Sequence, residues 1–172
     1  MAVAQTVFAP ALVPRRVNHW LMKSEPGSFS IDDLKRKKKT PWDGVRNYQA
    51  RNHMQSMKVG DLVLFYHSNA EPTGVAGIAK VCRTAYVDPT AFDKRDHHYD
   101  PKSNPEKPSW YMVDVEFVEK LPRFVPLDEM RDAASLNGML LTSGKASRLS
   151  VQPVDKKHFE AIRKMGHGKA PA

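Results

Sequence analysis

The sequence predicts an α+β domain in which a small bent sheet, or a partly closed barrel, of about five to six strands is flanked by short helices. Several apolar or alternating segments of strand length are separated by turns, and short helical patterns lie between and after them. The segments do not alternate as strand–helix–strand units, and no Rossmann or P-loop glycine pattern is present. A doubly wound parallel sheet is therefore not expected.

The first part of the chain alternates short strands with short helices. His19 to Lys23 has the apolar character of a first strand. A short helix starts at Ser30, which stands at the N-cap, with Asp33 at the position of a capping-box acid. Asn47 is placed to cap a second helix over Tyr48 to Ser56.

A pair of core strands follows. After the turn Val59 to Asp61, the apolar run Leu62 to His67 predicts a buried strand. The loop Ser68 to Thr73 leads back into Gly74 to Val81, where small residues occupy alternate positions. Glycines in a strand often mark a bend or the close approach of another group, so this strand suits a barrel wall against which a ligand lies.

A long polar loop over Asp88 to Pro108 separates these strands from the longest alternating pattern, Trp110 to Leu121. Pro126 is well placed in the first turn of another short helix. Leu149 to Gln152 predicts the last strand.

A helix closes the domain. Asp155 is predicted to cap it, Val154 and Phe159 are spaced as a hydrophobic staple, and Gly166 is predicted to stop it.

Length and composition favour one globular domain, predicted over residues 18–166 of the 172. Residues 1–17 contain no acidic residue and two arginines; a transit peptide has a similar composition, but no clean amphipathic repeat is present, so a disordered extension is predicted. Residues 167–172 are predicted to be a flexible tail. No apolar run approaches the ~20 residues of a spanning helix.

Charge and cysteine content restrict the partners and the compartment. The net charge of +8, from 27 Lys and Arg against 19 Asp and Glu, favours a polyanion as partner. Cys82 is the only cysteine, which excludes an intrachain disulfide and a cysteine-based zinc site. A reducing interior is expected, cytoplasmic, or nuclear if the source is eukaryotic.

Two clusters near the start carry the residue types of a pocket for a flat, polar, uncharged ring. The first runs from Trp20 to Pro26 and includes Lys23, Ser24 and Glu25; the second runs from Trp42 to Asn52. Such a ring needs an aromatic surface to stack on, and donors and acceptors to read its edge. The clusters favour a protein that binds a base over a catalyst.

Each of these residues also has a structural explanation. Successive side chains of a strand point to opposite faces, so Lys23, Ser24 and Glu25 share a pocket only if the strand breaks at the following proline. Otherwise they form a surface ion pair. Trp42 is either a core residue or a stacking surface. Asn47 caps a helix whose N-terminal amides favour an acceptor or an anion.

Three further aromatic residues are candidates for the same pocket. Alternation sends Tyr66 and His67 to opposite faces of their strand, so one of them is expected at the barrel mouth. His67 is otherwise a structural histidine. Trp110 is either part of the core or a second aromatic wall.

Basic residues near these clusters are candidates for phosphate binding. They are Lys35, Arg36, Lys37, Arg46 and Arg51. The run Lys35 to Lys39 is either a solvated charged face or a surface that adds salt-dependent, sequence-independent affinity for nucleic acid.

No metal, cofactor or catalytic set is predicted. The segment Asp93 to Asp100 contains three aspartates and two adjacent histidines, but they match no known ligand spacing, and a solvated polar loop is expected. No Ser-His-Asp, Cys-His or paired-carboxylate site is evident. The most reactive set is Lys23 with Glu25, since a buried lysine beside a carboxylate can act as a base.

Together, these segments resemble the EVE domain family over roughly His19 to Met165. Six segments carry the resemblance: Trp20 to Pro26, Trp42 to Asn52, Met57 to Asp61, Phe65 to Asn69, Gly74 to Ala79 and Trp110 to Val115. The family implies a PUA-like fold, a bent β-barrel with flanking helices, related to the YTH domains that hold methylated adenine of RNA in an aromatic cage. EVE domains are regarded as readers of modified bases in DNA or RNA.

The resemblance also implies site residues. In YTH domains a Lys-Ser pair after the first strand and a tryptophan after the first helix line the pocket, which carries over most directly to Lys23, Ser24 and Trp42. Less direct correspondences are Glu25, Asn47, Tyr66 and Trp110.

The resulting hypothesis is a non-enzymatic, monomeric domain whose partner is nucleic acid carrying a modified base, with no membrane association. One alternative is a small hydrolase of a modified nucleoside that uses Lys23 and Glu25, as some PUA-like ASCH domains use a lysine and a glutamate. Another is an interaction module whose pocket is vestigial.

Overall fold

Six strands form one mixed sheet in the computed structural model, which describes residues 14–168. They are β1 (His19–Ser24), β2 (Lys39–Trp42), β3 (Leu62–His67), β4 (Gly74–Val87), β5 (Tyr111–Pro126) and β6 (Val151–Val154). Their order is β2-β5-β4-β3-β1-β6. Strands β1 and β3 are parallel, and the other neighbouring pairs are antiparallel. The predicted class and strand number are confirmed, but the sheet is open, with β2 and β6 at its edges.

In the described part of the chain, four α-helices flank the sheet and two short 3₁₀ helices lie in the loops. The α-helices are α1 (Ile31–Lys37), α2 (Tyr48–Ser56), α3 (Leu127–Asp132) and α4 (Lys156–Gly166); the 3₁₀ helices cover Pro89–Phe92 and Ala134–Leu136. None of the helices between residues 14 and 168 is long and apolar enough to cross a membrane.

Two predicted helix caps are confirmed and a third is not. The Ser30 hydroxyl accepts a hydrogen bond from the Asp33 amide while the Asp33 carboxylate accepts one from the Ser30 amide, which is the capping box. The Asn47 side chain accepts from the Ala50 amide at 2.9 Å. Asp155 stands at the N-cap of α4, but its side chain makes no capping hydrogen bond.

One strand was missed and several boundaries differ from the prediction, including that of β6, which covers Val151–Val154 instead of Leu149 to Gln152. The short strand β2 was not predicted, because its sequence is dominated by the basic run and a proline; at the sheet edge, Pro41 pairs with β5 on one side only. Strands β4 and β5 run beyond the predicted ends, to Val87 and Pro126. Gly166 does not stop α4: it is the last helical residue, and a Cβ there would lie 2.6 Å from the Leu121 side chain.

The sheet carries core residues on both faces. One face packs Val63 and Phe65 against α1 and α2, and the other packs Leu64 and Tyr66 against α3 and α4. This arrangement confirms the predicted alternation along β3. The glycines of β4 do mark close approaches, but by protein rather than by a ligand. A Cβ on Gly77 would lie 2.5 Å from Ile31 and 2.6 Å from a carbonyl oxygen of β5.

A buried carboxylate fixes the entry into β1. Asp61 accepts hydrogen bonds from the Trp20 indole, from the amides of Asn18 and Lys58, and from the Arg15 guanidinium. Arg15 belongs to the segment 1–17 that was predicted to be disordered. Residues 1–13 of that segment, and residues 169–172 of the predicted tail, lie outside the described residues.

Candidate nucleic-acid interface

A cavity of about 1160 Å³ opens at the C-terminal ends of β1, β2 and β3. Because β1 and β3 are parallel and pair Ser24 with His67, the segments that leave them lie side by side. The loop before β6, the polar loop after β4, and residues of α1 and α3 supply further walls. The volume exceeds the ~300–1,000 Å³ of most small-molecule sites, so it has room for more than one ring.

Lys23, Ser24 and Glu25 all line this cavity, because β1 ends at Ser24. The Lys23 ammonium donates to the Ser147 carbonyl at 2.9 Å and lies 5.8 Å from the Tyr66 ring centroid. Burial lowers the pKa of Lys23. The Ser24 hydroxyl donates to a backbone carbonyl at 2.6 Å. Within residues 14–168, Lys23 and Glu25 form no ion pair, so the surface-pair explanation does not describe them.

Phenylalanine, tryptophan and tyrosine rings line the cavity within residues 14–168: Phe29, Trp42 and Tyr66. Trp42 is 8% exposed, and its ring packs edge-on against Phe65 with centroids 5.4 Å apart. It is therefore both a core residue and part of the cavity floor. Tyr66 is buried, and burial raises its pKa. Phe29 was not predicted; its position next to the N-cap of α1 was the available signal.

Three predicted pocket residues do not line the cavity. Trp110 is buried: its indole donates to Asp100 at 2.6 Å, and its ring stacks on Tyr48 at 4.8 Å. His67 accepts a hydrogen bond from the first amide of α1 through Nε2, at 3.1 Å. Asn47 caps α2. All three hold loops and helix ends in place, and only Tyr66 of the Tyr66–His67 pair faces the cavity.

Two of the predicted phosphate ligands are engaged by the protein. Arg46 lines the cavity, but its guanidinium donates to Asp88, to the Thr90 hydroxyl and to the His98 carbonyl, each at 2.8–2.9 Å. Arg51 donates to a carbonyl at 2.8 Å and lies over the Tyr48 ring. Both guanidiniums are therefore occupied by protein acceptors, and a role of either arginine in phosphate binding stays a prediction.

The basic run is placed differently from residue to residue. Lys37 lines the cavity, with its ammonium 5.4 Å from the Phe29 ring centroid. Lys35 and Arg36 are exposed and do not line it, and Arg36 pairs with Asp33.

Charged residues that were not predicted complete the wall. Asp43, Arg131 and Arg148 line the cavity. With Lys23, Lys37 and Arg46, the lining has more basic groups than acidic ones, which are Glu25 and Asp43. Asp43 lies in the second sequence cluster, Trp42 to Asn52. Arg131 and Arg148 have no neighbouring residues that would mark them as site residues, because only the folding of the chain brings them to this cavity.

The polar loop brings three possible metal ligands together at one side of the cavity. Asp96 Oδ1 lies 3.1 Å from Nδ1 of His98 and 3.8 Å from Nδ1 of His97, and the three donor atoms lie within 4.8 Å of one another. His97 is exposed, and Asp96 also accepts from the His98 amide. The absence of a bound metal stays a prediction.

The free energy of unfolding is expected to fall as the pH drops below about 6.5. Burial lowers the pKa of His19, His53 and His67 from the ordinary value of 6.5. Above that value the three histidines are neutral in both states; below it the unfolded chain binds protons that the folded protein does not, so stability is lost as the pH falls towards the folded pKa values. Each histidine contributes a slope of at most about 1.4 kcal/mol per pH unit.

Urea denaturation at a series of pH values measures this slope. His67→Gln keeps an acceptor for the Ile31 amide and should make the slope shallower. Stability that rises on acidification would contradict the prediction.

Comparison with known proteins gives a family and a set of relatives. The EVE domain family model matches residues 18–165. Thymocyte nuclear protein 1 of Homo sapiens is 44% identical over 164 residues, which cover 84% of this chain and 72% of that protein.

Solved structures share the fold. A hypothetical protein from Leishmania major superposes with a TM-score of 0.85 at 50% identity, over 89% of this chain and 96% of that one. Human THYN1 protein, solved in complex with 5-methylcytosine containing DNA, superposes with a TM-score of 0.83 at 42% identity, over 89% of this chain and 99% of that one. A Zygosaccharomyces rouxii YTH domain superposes with a TM-score of 0.50 at 13% identity, over 95% of this chain and 96% of that one, which shows a similar fold alone.

Proposed function

The chain belongs to the EVE domain family, as its motifs predicted, and we propose that it is a non-enzymatic reader that holds a modified base of DNA or RNA in the cavity. This proposal depends on one observation: a single cavity brings the aromatic ring of the second sequence cluster together with the polar groups of the first. Trp42 and Phe29 supply aromatic surface, and Ser24 and Glu25 supply groups that read a polar edge.

The charge of the lining supports a polymer as the ligand. Basic residues approach the cavity from separate elements: Lys37 from α1, Arg131 from α3 and Arg148 from the loop before β6. A base that has left its stack stays attached to phosphates on both sides, and basic groups at the cavity walls neutralise them. A free nucleoside would need none of these groups.

A relative supports the choice of ligand. Human THYN1 protein, similar to this chain over nearly all of its solved length, was crystallised with 5-methylcytosine containing DNA. The name of the vertebrate relatives, thymocyte nuclear protein 1, supports a nuclear location if the source cell has a nucleus. The monomeric state stays a prediction.

Titration against matched oligonucleotides tests the proposal. DNA and RNA strands with one modified base at a fixed position are compared with unmodified strands of the same sequence, at one stated salt concentration. We expect at least one modified strand to bind about tenfold more tightly than its unmodified partner. Equal affinity for modified and unmodified strands across the panel would overturn the function.

A hydrolase is the second candidate, because burial lowers the pKa of Lys23 in the cavity. A lysine with a lowered pKa can serve as a base. However, the Lys23 ammonium donates to the Ser147 carbonyl, and its position over the Tyr66 ring also gives it a structural partner. Turnover of free modified nucleosides that Lys23→Ala abolishes would favour the hydrolase.

A further inference from the structure

We propose that Asp43 selects bases that carry an exocyclic amino group, the cytosine and adenine class, over their keto counterparts. This inference rests on the proposed function, since it concerns the base held in the same cavity. Asp43 directly follows Trp42 at the end of β2 and lines the cavity. Gly44, at φ +75°, then turns the chain away.

The carboxylates around the Gly44 turn differ in how many hydrogen bonds they accept from other residues. Asp88 accepts from the Arg46 guanidinium, the Thr90 amide and hydroxyl, and the Gly44 amide. Asp96 accepts from the amide of His98 and lies 3.1 Å from its ring nitrogen. Among residues 14–168, no other residue donates a hydrogen bond to the Asp43 carboxylate, which is exposed and has its own backbone amide as a partner. The carboxylate therefore keeps acceptor capacity for a ligand in the cavity.

The electrostatic surroundings make a ligand donor favourable here. Loss of surrounding water raises the pKa of Asp43, and the carboxylates of Asp88 and Asp96 raise it further, against opposing effects of His98 and of the backbone amide of Asp43. A carboxylate that is partly desolvated and repelled by its neighbours is stabilised when an N–H group donates to it. An amino group on the edge of a bound base supplies such a donor.

The chemistry of base edges then sets the selectivity. Aspartate and glutamate accept hydrogen bonds from the N4 amino group of cytosine. Thymine presents a carbonyl oxygen at the same position, and this oxygen would face the carboxylate as a second acceptor. Asp43 and Trp42 both line the cavity, so a base held there has an aromatic surface and this carboxylate within one site.

A pair of oligonucleotides tests this selection directly. 5-Methylcytosine and thymine carry the same methyl group and differ on one edge: cytosine has an amino group at position 4 and an acceptor at N3, and thymine has a keto oxygen at position 4 and an N3–H. We expect the wild-type protein to prefer the 5-methylcytosine strand by about tenfold or more, and Asp43→Asn to reduce the preference to about threefold or less, since an amide offers both a donor and an acceptor. N6-Methyladenine and hypoxanthine give a second pair if the oligonucleotide panel favours purines.

Asp132→Asn is the matched control, because Asp132 is an exposed aspartate at the end of α3 that does not line the cavity; it should keep the preference. Thermal melting checks folding, and Asp43→Ser serves if Asp43→Asn does not fold. An unchanged preference in the Asp43 variant, equal binding of both strands by the wild type, or loss of all binding by a folded Asp43 variant would each overturn the selective role. The proposed function is judged separately, by modified against unmodified strands.

Discussion

Arg46→Ala is expected to lower the free energy of unfolding by about 3 kcal/mol or more, because it leaves a buried carboxylate without its counter-ion. The Asp88 side chain is completely buried and lies 2.9 Å from the Arg46 guanidinium. The same guanidinium donates to Thr90 and to the His98 carbonyl, so its loss also releases the polar loop. Urea denaturation of the wild type and the variant measures the change.

Asp88→Ala and the double variant complete the test. Since the residues are in contact, we expect the double variant to lose less stability than the sum of the single losses. Arg148→Ala is the matched control, an exposed arginine that lines the same cavity. It should leave stability within about 0.5 kcal/mol of the wild type and reduce the salt slope of binding by about one. If Arg46→Ala instead left stability unchanged and reduced the salt slope, Arg46 would be a phosphate ligand.

The parts of the fold that were predicted correctly depend on signals local in the chain. The Ser30–Asp33 capping box and the Asn47 cap lie within three or four residues of the amides they bond, and the alternation along β3 needs only one strand. Strand β2 was missed because its stability comes from pairing with β5, more than seventy residues away in the chain. Its own sequence, Lys39 to Trp42, contains a proline and has no alternating pattern.

The residues of the candidate site also differ in whether the neighbouring sequence predicts their position. Lys23, Ser24 and Glu25 follow from the end of a strand, and the structure brings them to the cavity with Trp42 and Tyr66. Family resemblance placed Trp110 near this site, and basic charge beside the sequence clusters placed Arg46 there, but neither signal shows what the residue contacts.

The partners of these two residues decide their roles. Trp110 donates to Asp100, and Arg46 donates to Asp88. Both acceptors belong to the polar loop, whose sequence indicates polar character and no particular contact. Nothing local in the sequence shows that these acceptors reach back across the fold.

Trp42 carries the largest expected effect on binding. Base–aromatic stacking contributes ~1–3 kcal/mol per base, so loss of the indole should weaken binding of the preferred modified strand by roughly ten- to a hundredfold. Trp42 also belongs to the core and packs against Phe65. Truncation to alanine would therefore cost about 3–5 kcal/mol of stability as well, and a loss of binding by that variant could reflect unfolding.

A graded series separates the two roles of Trp42. Trp42→Phe keeps an aromatic face, whereas Trp42→Leu keeps an apolar side chain without one. We expect affinity to decrease from tryptophan to phenylalanine to leucine, measured by titration under conditions in which each variant is folded by circular dichroism.

Phe65→Leu supplies the control, because Phe65 is buried beside Trp42 and does not line the cavity. It should lose stability as Trp42→Leu does but bind the modified strand like the wild type. If the two leucine variants lost affinity to the same extent, packing rather than stacking would explain the effect. If Trp42→Leu bound as tightly as the wild type, the base would not lie on the indole, and the aromatic contact would have to come from Phe29 or Tyr66.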